Sequence, residues 1–120
     1  MDERTSVLIV DDSNGICKTM TMILQRKGFD VTCAMDGPEA IERVKERQFD
    51  NILLDIRLPG MDGVEVNRQI RSLRPQSRVA MMTAYADEDK VRTSLEAGAE
   101  RVFYKPLDMD TVINYLQTTH

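Results

Sequence analysis

Asp11 and Asp12 follow the apolar run Val7 to Val10, Asp55 ends the run that includes Ile52 to Leu54, Thr83 follows Val79 to Met82, and Lys105 follows Val102 to Tyr104. Three carboxylates brought into one shallow pocket repel one another, and partial burial drives at least one toward protonation unless a cation intervenes. A hard divalent cation suits such a pocket. Mg²⁺ prefers oxygen ligands, is satisfied by one or two carboxylates plus waters, and commonly completes its shell with phosphate oxygens. Lys105 would then supply a point charge beside Asp55, and the Thr83 hydroxyl a hydrogen-bond donor to an oxygen held there. Acid, metal, donor and cation are the parts needed for phosphoryl transfer onto a carboxylate, in which the protein mainly positions groups and neutralises phosphoryl oxygens. The expectation is that Asp55 is the nucleophile and becomes an acyl phosphate. Beyond it, Pro59 and Gly60 predict a turn, and Gly63 a close passage of the chain before the next helix. An acid at the end of a rigid strand is then held still while the following loop offers a backbone carbonyl to the metal. Arg57 and Tyr85 are expected to flank the pocket and shield the acyl phosphate from water.

Elements that bring these residues together are visible as an alternation repeated five times. The runs Val7 to Val10, Val31 to Ala34, Ile52 to Leu54, Val79 to Met82 and Val102 to Tyr104 predict strands, and continuous apolarity in the first, third and fourth predicts coverage on both faces. Between them apolar residues recur at helical spacing: Ile16, Met20, Ile23 and Leu24; Ile41 and Val44; Val66, Ile70 and Leu73; Val91 and Leu95; Met109, Val112, Ile113 and Leu116. Pro38 suits a first helical position, Gly28 and Gly98 suit helix stops, and Asp108 or Asp110 can cap the last helix. The run Asp87 to Lys90 reads as the solvated first turn of the fourth helix, where acids suit the dipole. Strand, helix, strand repeated in this way builds an open parallel sheet with helices on both faces, an α/β doubly wound fold. In such sheets ligands gather at the carboxyl ends of the strands, where all five polar residues stand.

Composition narrows the function classes. The chain has 120 residues, 42% hydrophobic and 30% charged, which suits one compact domain over residues 1–120 and is too short for two. A net charge of −4, from 16 basic and 20 acidic residues, argues against a nucleic-acid surface, which needs clustered Lys and Arg. Cys17 and Cys33 lack CxxC spacing, so buried free thiols are expected rather than a disulfide framework or zinc site, in a reducing, cytoplasmic compartment. The polar start resembles no signal peptide, and Val7 to Val10 is far too short to span a bilayer. Met61, alone among the methionines, is expected to touch a partner, and the terminal His120 is assigned no role.

"VLIVDDS", "ILLDIRLPGMDG", "MMTAYA" and "FYKPLDMD" together resemble the successive signatures of the response-regulator receiver domain of two-component signalling, in order across nearly the whole chain. Within the family the chain is most similar to the sporulation phosphorelay regulator and to receivers of nitrogen-regulation type activators. The resemblance implies a five-stranded sheet of order 2-1-3-4-5 and phosphorylation by a sensor histidine kinase or a histidine phosphotransfer protein. It also implies a signalling module that supports only its own phosphotransfer and autodephosphorylation, not an enzyme acting on other substrates. Carried over by motif, Asp55 is the phosphoacceptor, Asp12 and Asp55 bind Mg²⁺ directly with the Arg57 carbonyl, and Asp11 helps through water. Thr83 and Lys105 would contact the phosphoryl group, and the Lys105–Pro106 bond would be cis.

One position departs from the family pattern. Three residues before the lysine, where most members carry Tyr or Phe, stands Val102. Period-two alternation points Phe103 to the opposite face and Tyr104 to the face of Val102, nearer the site. Coupling of Thr83 to the output face is therefore expected to differ from the usual aromatic switch. That face, the fourth helix, fifth strand and fifth helix (roughly Asp87 to Gln117), is expected to bind a downstream protein, an output domain or a second copy on phosphorylation. Three rivals share parts of the pattern. A flavodoxin-like carrier needs a hydroxyl- and glycine-rich phosphate loop where "DDSNG" offers two acids. A phosphohydrolase with an aspartyl nucleophile needs a general acid two residues on, where Arg57 cannot exchange a proton. A receiver-like binding module that no longer uses phosphate is the third.

Overall fold

In the computed structural model, residues 4–84 and 87–118 are described. They form β1 (Ser6–Val10), α1 (Asn14–Arg26), β2 (Asp30–Ala34), α2 (Gly37–Glu46), β3 (Asn51–Asp55), α3 (Gly63–Leu73), β4 (Arg78–Thr83), α4 (Glu88–Glu96), β5 (Arg101–Tyr104) and α5 (Met109–Gln117). All five predicted strands are present, each beginning one residue before its apolar run, and β3 and β4 also end one residue later. The sheet has the order β2-β1-β3-β4-β5 with every pairing parallel. No helix among the described residues is long and apolar enough to cross a membrane.

Alternation along each central strand divides the core in two, because successive side chains leave opposite faces of the pleat. Val7 and Ile9 of β1 join Leu53, Ala80, Met82 and Phe103 under α1 and α5, where Met20, Leu24, Val112 and Leu116 meet them. Leu8 and Val10 join Ile52, Leu54, Val79 and Met81 under α2 and α3, against Val44, Val66 and Ile70. Phe103 is thus buried on the α1/α5 side while Val102 packs partly on the other, and Tyr104 remains exposed.

Helix boundaries follow local chemistry. Ser13 caps α1 by accepting from the Ile16 N–H at 3.3 Å, and Asp36 caps α2 by accepting from Glu39 N–H at 2.8 Å, so Pro38 occupies the second helical position, not the first. Asp62 caps α3 and Asp108, not Asp110, caps α5. Gly28 and Gly98 take φ of 93° and 107° after α1 and α4, a left-handed conformation that favours glycine.

Several sequence expectations need correction. Leu95 sits on the predicted apolar face of α4 but is 42% exposed, and α4 buries only Ser94. Helical spacing identifies residues that share a face; it does not ensure that another element covers that face. Met61, expected to touch a partner, also packs partly against the α2/α3 core, its Sδ 3.0 Å from where a Cβ on Gly37 would stand. The cysteines are unbridged, but only Cys17 is buried while Cys33 is partly exposed. Burial pushes the Cys17 thiol up to about 12.

Candidate functional site

Four parallel strands deliver the candidate residues to one edge. Asp11 follows β1 directly, Asp55 is the last residue of β3, Thr83 the last of β4, and Lys105 follows β5. The ends are tied to one another by backbone bonds: Asp11 N–H donates to Ala34 O at 3.1 Å, Ile56 N–H to Met82 O at 2.9 Å, and Lys105 N–H to Thr83 O at 2.8 Å. Because β3 lies between β1 and β4, Asp55 stands centrally in the row.

The three acids do converge. Asp11, Asp12 and Asp55 each place a carboxylate oxygen within 4.8 Å of the others, with Asp11 fully buried, Asp55 nearly so and Asp12 exposed. Lys105 reaches into the same cluster, its Nζ donating to Asp11 Oδ2 at 2.7 Å and to Asp55 Oδ2 at 2.8 Å. A solvated surface role for Lys105 is therefore excluded. Its peptide bond to Pro106 is cis. Thr83 is buried at the end of the adjacent strand.

Local bonds hold the carboxylates in place. Asp55 Oδ1 accepts from Arg57 N–H at 3.0 Å, and Asp11 Oδ1 accepts from Ser13 N–H at 2.9 Å. Neither Asp11 nor Asp12 caps α1; Ser13 does. Gly63 is required by close approach: its N–H donates to Ile56 O at 2.8 Å, and a Cβ there would collide with the backbone carbonyl of Asp55 and lie 2.7 Å from the Ile56 Cα.

Electrostatics in the cluster are unequal. Burial raises the Asp55 carboxyl above the usual 3.8, although hydrogen bonds from Lys105 and Arg57 N–H pull it down; nearby Asp11 adds to the rise. Burial opposes the Lys105 charge, but hydrogen bonds to Asp11 and Asp55 outweigh it and raise the ammonium above 10.5. Both directions follow from one arrangement: the lysine has two anions to itself, whereas Asp55 shares one cation with a competing acid. The pocket is under-neutralised on its acidic side. Oxygen-only donors clustered in this way fit a hard divalent cation.

Links from the site to α4 were not legible in the sequence. Arg57 Nη2 lies 3.7 Å from Asp87 Oδ2, and Lys90 Nζ lies 2.7 Å from Asp62 Oδ2. The run Asp87 to Lys90 reads as surface charge, and its partners are distant in the chain. Tyr85, expected to flank the pocket, lies outside the described residues, as does His120.

Comparison with known proteins agrees with this geometry. A family model described as the response regulator receiver domain matches residues 7–117. Sporulation initiation phosphotransferase F of Bacillus subtilis (strain 168) is 36% identical over 106 residues, covering 88% of this chain and 86% of that protein. Transcriptional regulatory protein ZraR of Klebsiella oxytoca is 38% identical over 108 residues, 90% of this chain but 24% of that protein, so the chain spans about a quarter of that relative's length. A crystal structure of a response regulator protein from Burkholderia pseudomallei with a phosphorylated aspartic acid, calcium ion and citrate superposes with a TM-score of 0.89 at 25% identity, covering 95% of this chain and 67% of that one.

Proposed function

The chain belongs to the response-regulator receiver family, and on that premise we propose that Asp55 accepts a phosphoryl group from a phosphohistidine on a sensor kinase or phosphotransfer protein. The observation that carries the assignment is the convergence of Asp11, Asp12, Asp55 and Lys105 at one edge. An oxygen of the Asp55 carboxylate attacks phosphorus as the P–N bond to the donor imidazole breaks, giving an acyl phosphate and a free histidine. Asp12, Asp55 and the Arg57 carbonyl would hold Mg²⁺, with Asp11 helping through water, and the bound cation would offset charge on the phosphoryl oxygens. Lys105 turns from the paired acids to a phosphoryl oxygen, and the Thr83 hydroxyl donates to another. The phosphorylated aspartic acid and calcium ion of the Burkholderia pseudomallei structure support this reading.

The module signals and does not turn over an external substrate beyond its own phosphotransfer and autodephosphorylation. Inward movement of Thr83 and Lys105 shifts a two-state equilibrium of the loop after β4. The face of α4, β5 and α5 then engages a downstream protein, an output domain or a second copy. Leu95 and Tyr104, 42% and 55% exposed on these elements, support that assignment.

The decisive test is intact-mass and peptide analysis after incubation with acetyl phosphate and Mg²⁺. One phosphoryl group on the peptide containing Asp55, absent from Asp55→Asn, is the expected result. Failure of the wild type to incorporate phosphate would favour a phosphate-independent binding module.

A further inference from the structure

Cys17 and Cys33 lie 16 positions apart but meet where α1 packs on β2. Cys33 Sγ donates to the Cys17 carbonyl at 3.7 Å and lies 3.2 Å from the Thr21 hydroxyl. After burial, the neighbouring Cys33 side chain is the next influence that raises the Cys17 thiol. Cys17 is buried and Cys33 is partly exposed. Both line an open groove of about 400 Å³ with Lys18, Thr21, Met22 and Met35. One thiol is thus open to a small reagent and the other waits behind it. That is the order of access a stepwise oxidation needs.

The pair also touches the acid pocket. Cys17 Sγ donates to the Asp11 carbonyl at 3.6 Å, and Asp11 N–H donates to the carbonyl of Ala34, the neighbour of Cys33, at 3.1 Å. Two of the tethers on the Asp11 backbone therefore run to the segments that carry these cysteines.

We propose that Cys17 and Cys33 form a reversible redox-modification site, closed to an intramolecular disulfide by small-molecule disulfides such as glutathione disulfide, and that closure loosens the Asp11–Asp12 loop. The Cys33 sulfur, after losing its proton, attacks one sulfur of glutathione disulfide, forming a mixed disulfide and expelling one glutathione thiolate, which takes up that proton. The Cys17 sulfur then attacks the Cys33 sulfur, breaks the mixed disulfide and expels the second glutathione, which takes up the Cys17 proton. Two protein thiols are oxidised by two electrons, and one glutathione disulfide is reduced to two thiols. In the product Cys17 no longer has a hydrogen to donate to the Asp11 carbonyl. The pocket should then hold Mg²⁺ less firmly.

The test starts from reduced protein exposed to glutathione disulfide, followed by intact mass, non-reducing peptide mapping and Mg²⁺ titration by calorimetry. Wild type is expected to lose two hydrogens, to yield a peptide linked through Cys17 and Cys33, and to bind Mg²⁺ about fivefold more weakly until a reductant restores it. Cys17→Ser should retain glutathione on Cys33, and Cys33→Ser should stay unmodified. The wild-type peptide map is independent of how either variant folds. Stable glutathione on Cys33 beside a free Cys17 in the wild type, or linkage only between molecules, would overturn the site. A disulfide that leaves Mg²⁺ affinity unchanged would overturn its link to the pocket. Absence of Mg²⁺ binding in the reduced protein would instead count against the phosphoacceptor reading, while the thiol chemistry is read separately by mass.

Discussion

Lys105 is held between two acids, yet the pocket is still short of positive charge, and this imbalance governs what single substitutions do. The raised Asp55 carboxyl contributes stability that is present at low pH and lost as pH rises from 3.8 through its higher folded value. At neutral pH the ionised group is therefore a cost. Asp55→Asn should unfold at a higher temperature than wild type at pH 7 without divalent cations, and the gain should vanish below pH 3.8; thermal melts across pH check this. Lys105→Met removes the cation that occupies both carboxylates. It should raise Asp55 further and strengthen Mg²⁺ binding, yet slow phosphorylation by acetyl phosphate about a hundredfold, since a donor to the transferred group is lost. Calorimetry and time-resolved mass analysis would separate the two effects; weaker Mg²⁺ binding would mean that Lys105 does not compete for the acids.

At the scale of elements, β3 and α3 are joined by a loop with no room for a side chain at Gly63. Gly63→Ala must push against the Asp55 and Ile56 backbone, so a loss of about 1–3 kcal/mol is expected in urea unfolding, with impaired phosphorylation. The start of α4 is tied to the same loop by Lys90 and Asp62. Burial alone would raise the Asp62 carboxyl, but hydrogen bonds from Lys90 and Val64 N–H lower it below 3.8. That contribution is present above pH 3.8 and lost as pH falls through the folded value. Because the pair is substantially exposed, Asp62→Lys should cost only about 0.2–1 kcal/mol from the ion pair, plus about 1 kcal/mol from the lost α3 cap. The informative measurement is amide exchange, which should quicken in α4; unchanged exchange there would mean the pair does not restrain the helix. The Asp108 cap of α5 was among the candidates legible in the sequence, but the Asp62 cap of α3 was not read there, nor was its pairing with Lys90, because residues 28 positions apart meet only when α3 and α4 pack together.

Over the whole molecule, the pocket and the proposed output face share β5, whose end Lys105 follows, so on the proposed mechanism a change at Thr83 would be carried by the sheet's end rather than by a buried aromatic. Val102 packs partly into the α2/α3 core and Tyr104 points outward. Phosphorylation should therefore shift amide resonances across residues 87–117, while Tyr104→Ala phosphorylates normally and loses partner binding or self-association. Shifts confined to the acid pocket would remove the output face from the mechanism.

Periodicity and residue type alone determined the alternation of strands and helices, the two-sided core of the central strands, and the row of acids, hydroxyl and lysine at strand ends. These are local properties, carried by spacing along the chain. Tertiary structure decided which of those ends became neighbours: the order β2-β1-β3-β4-β5 sets Asp55 between Asp11 and Thr83 and brings Lys105 within hydrogen-bond reach of an acid 94 positions away. It also decided that α4 would leave Leu95 uncovered and that Cys17 and Cys33 would touch. Distances between remote residues depend on how elements pack, which periodicity along one element does not encode.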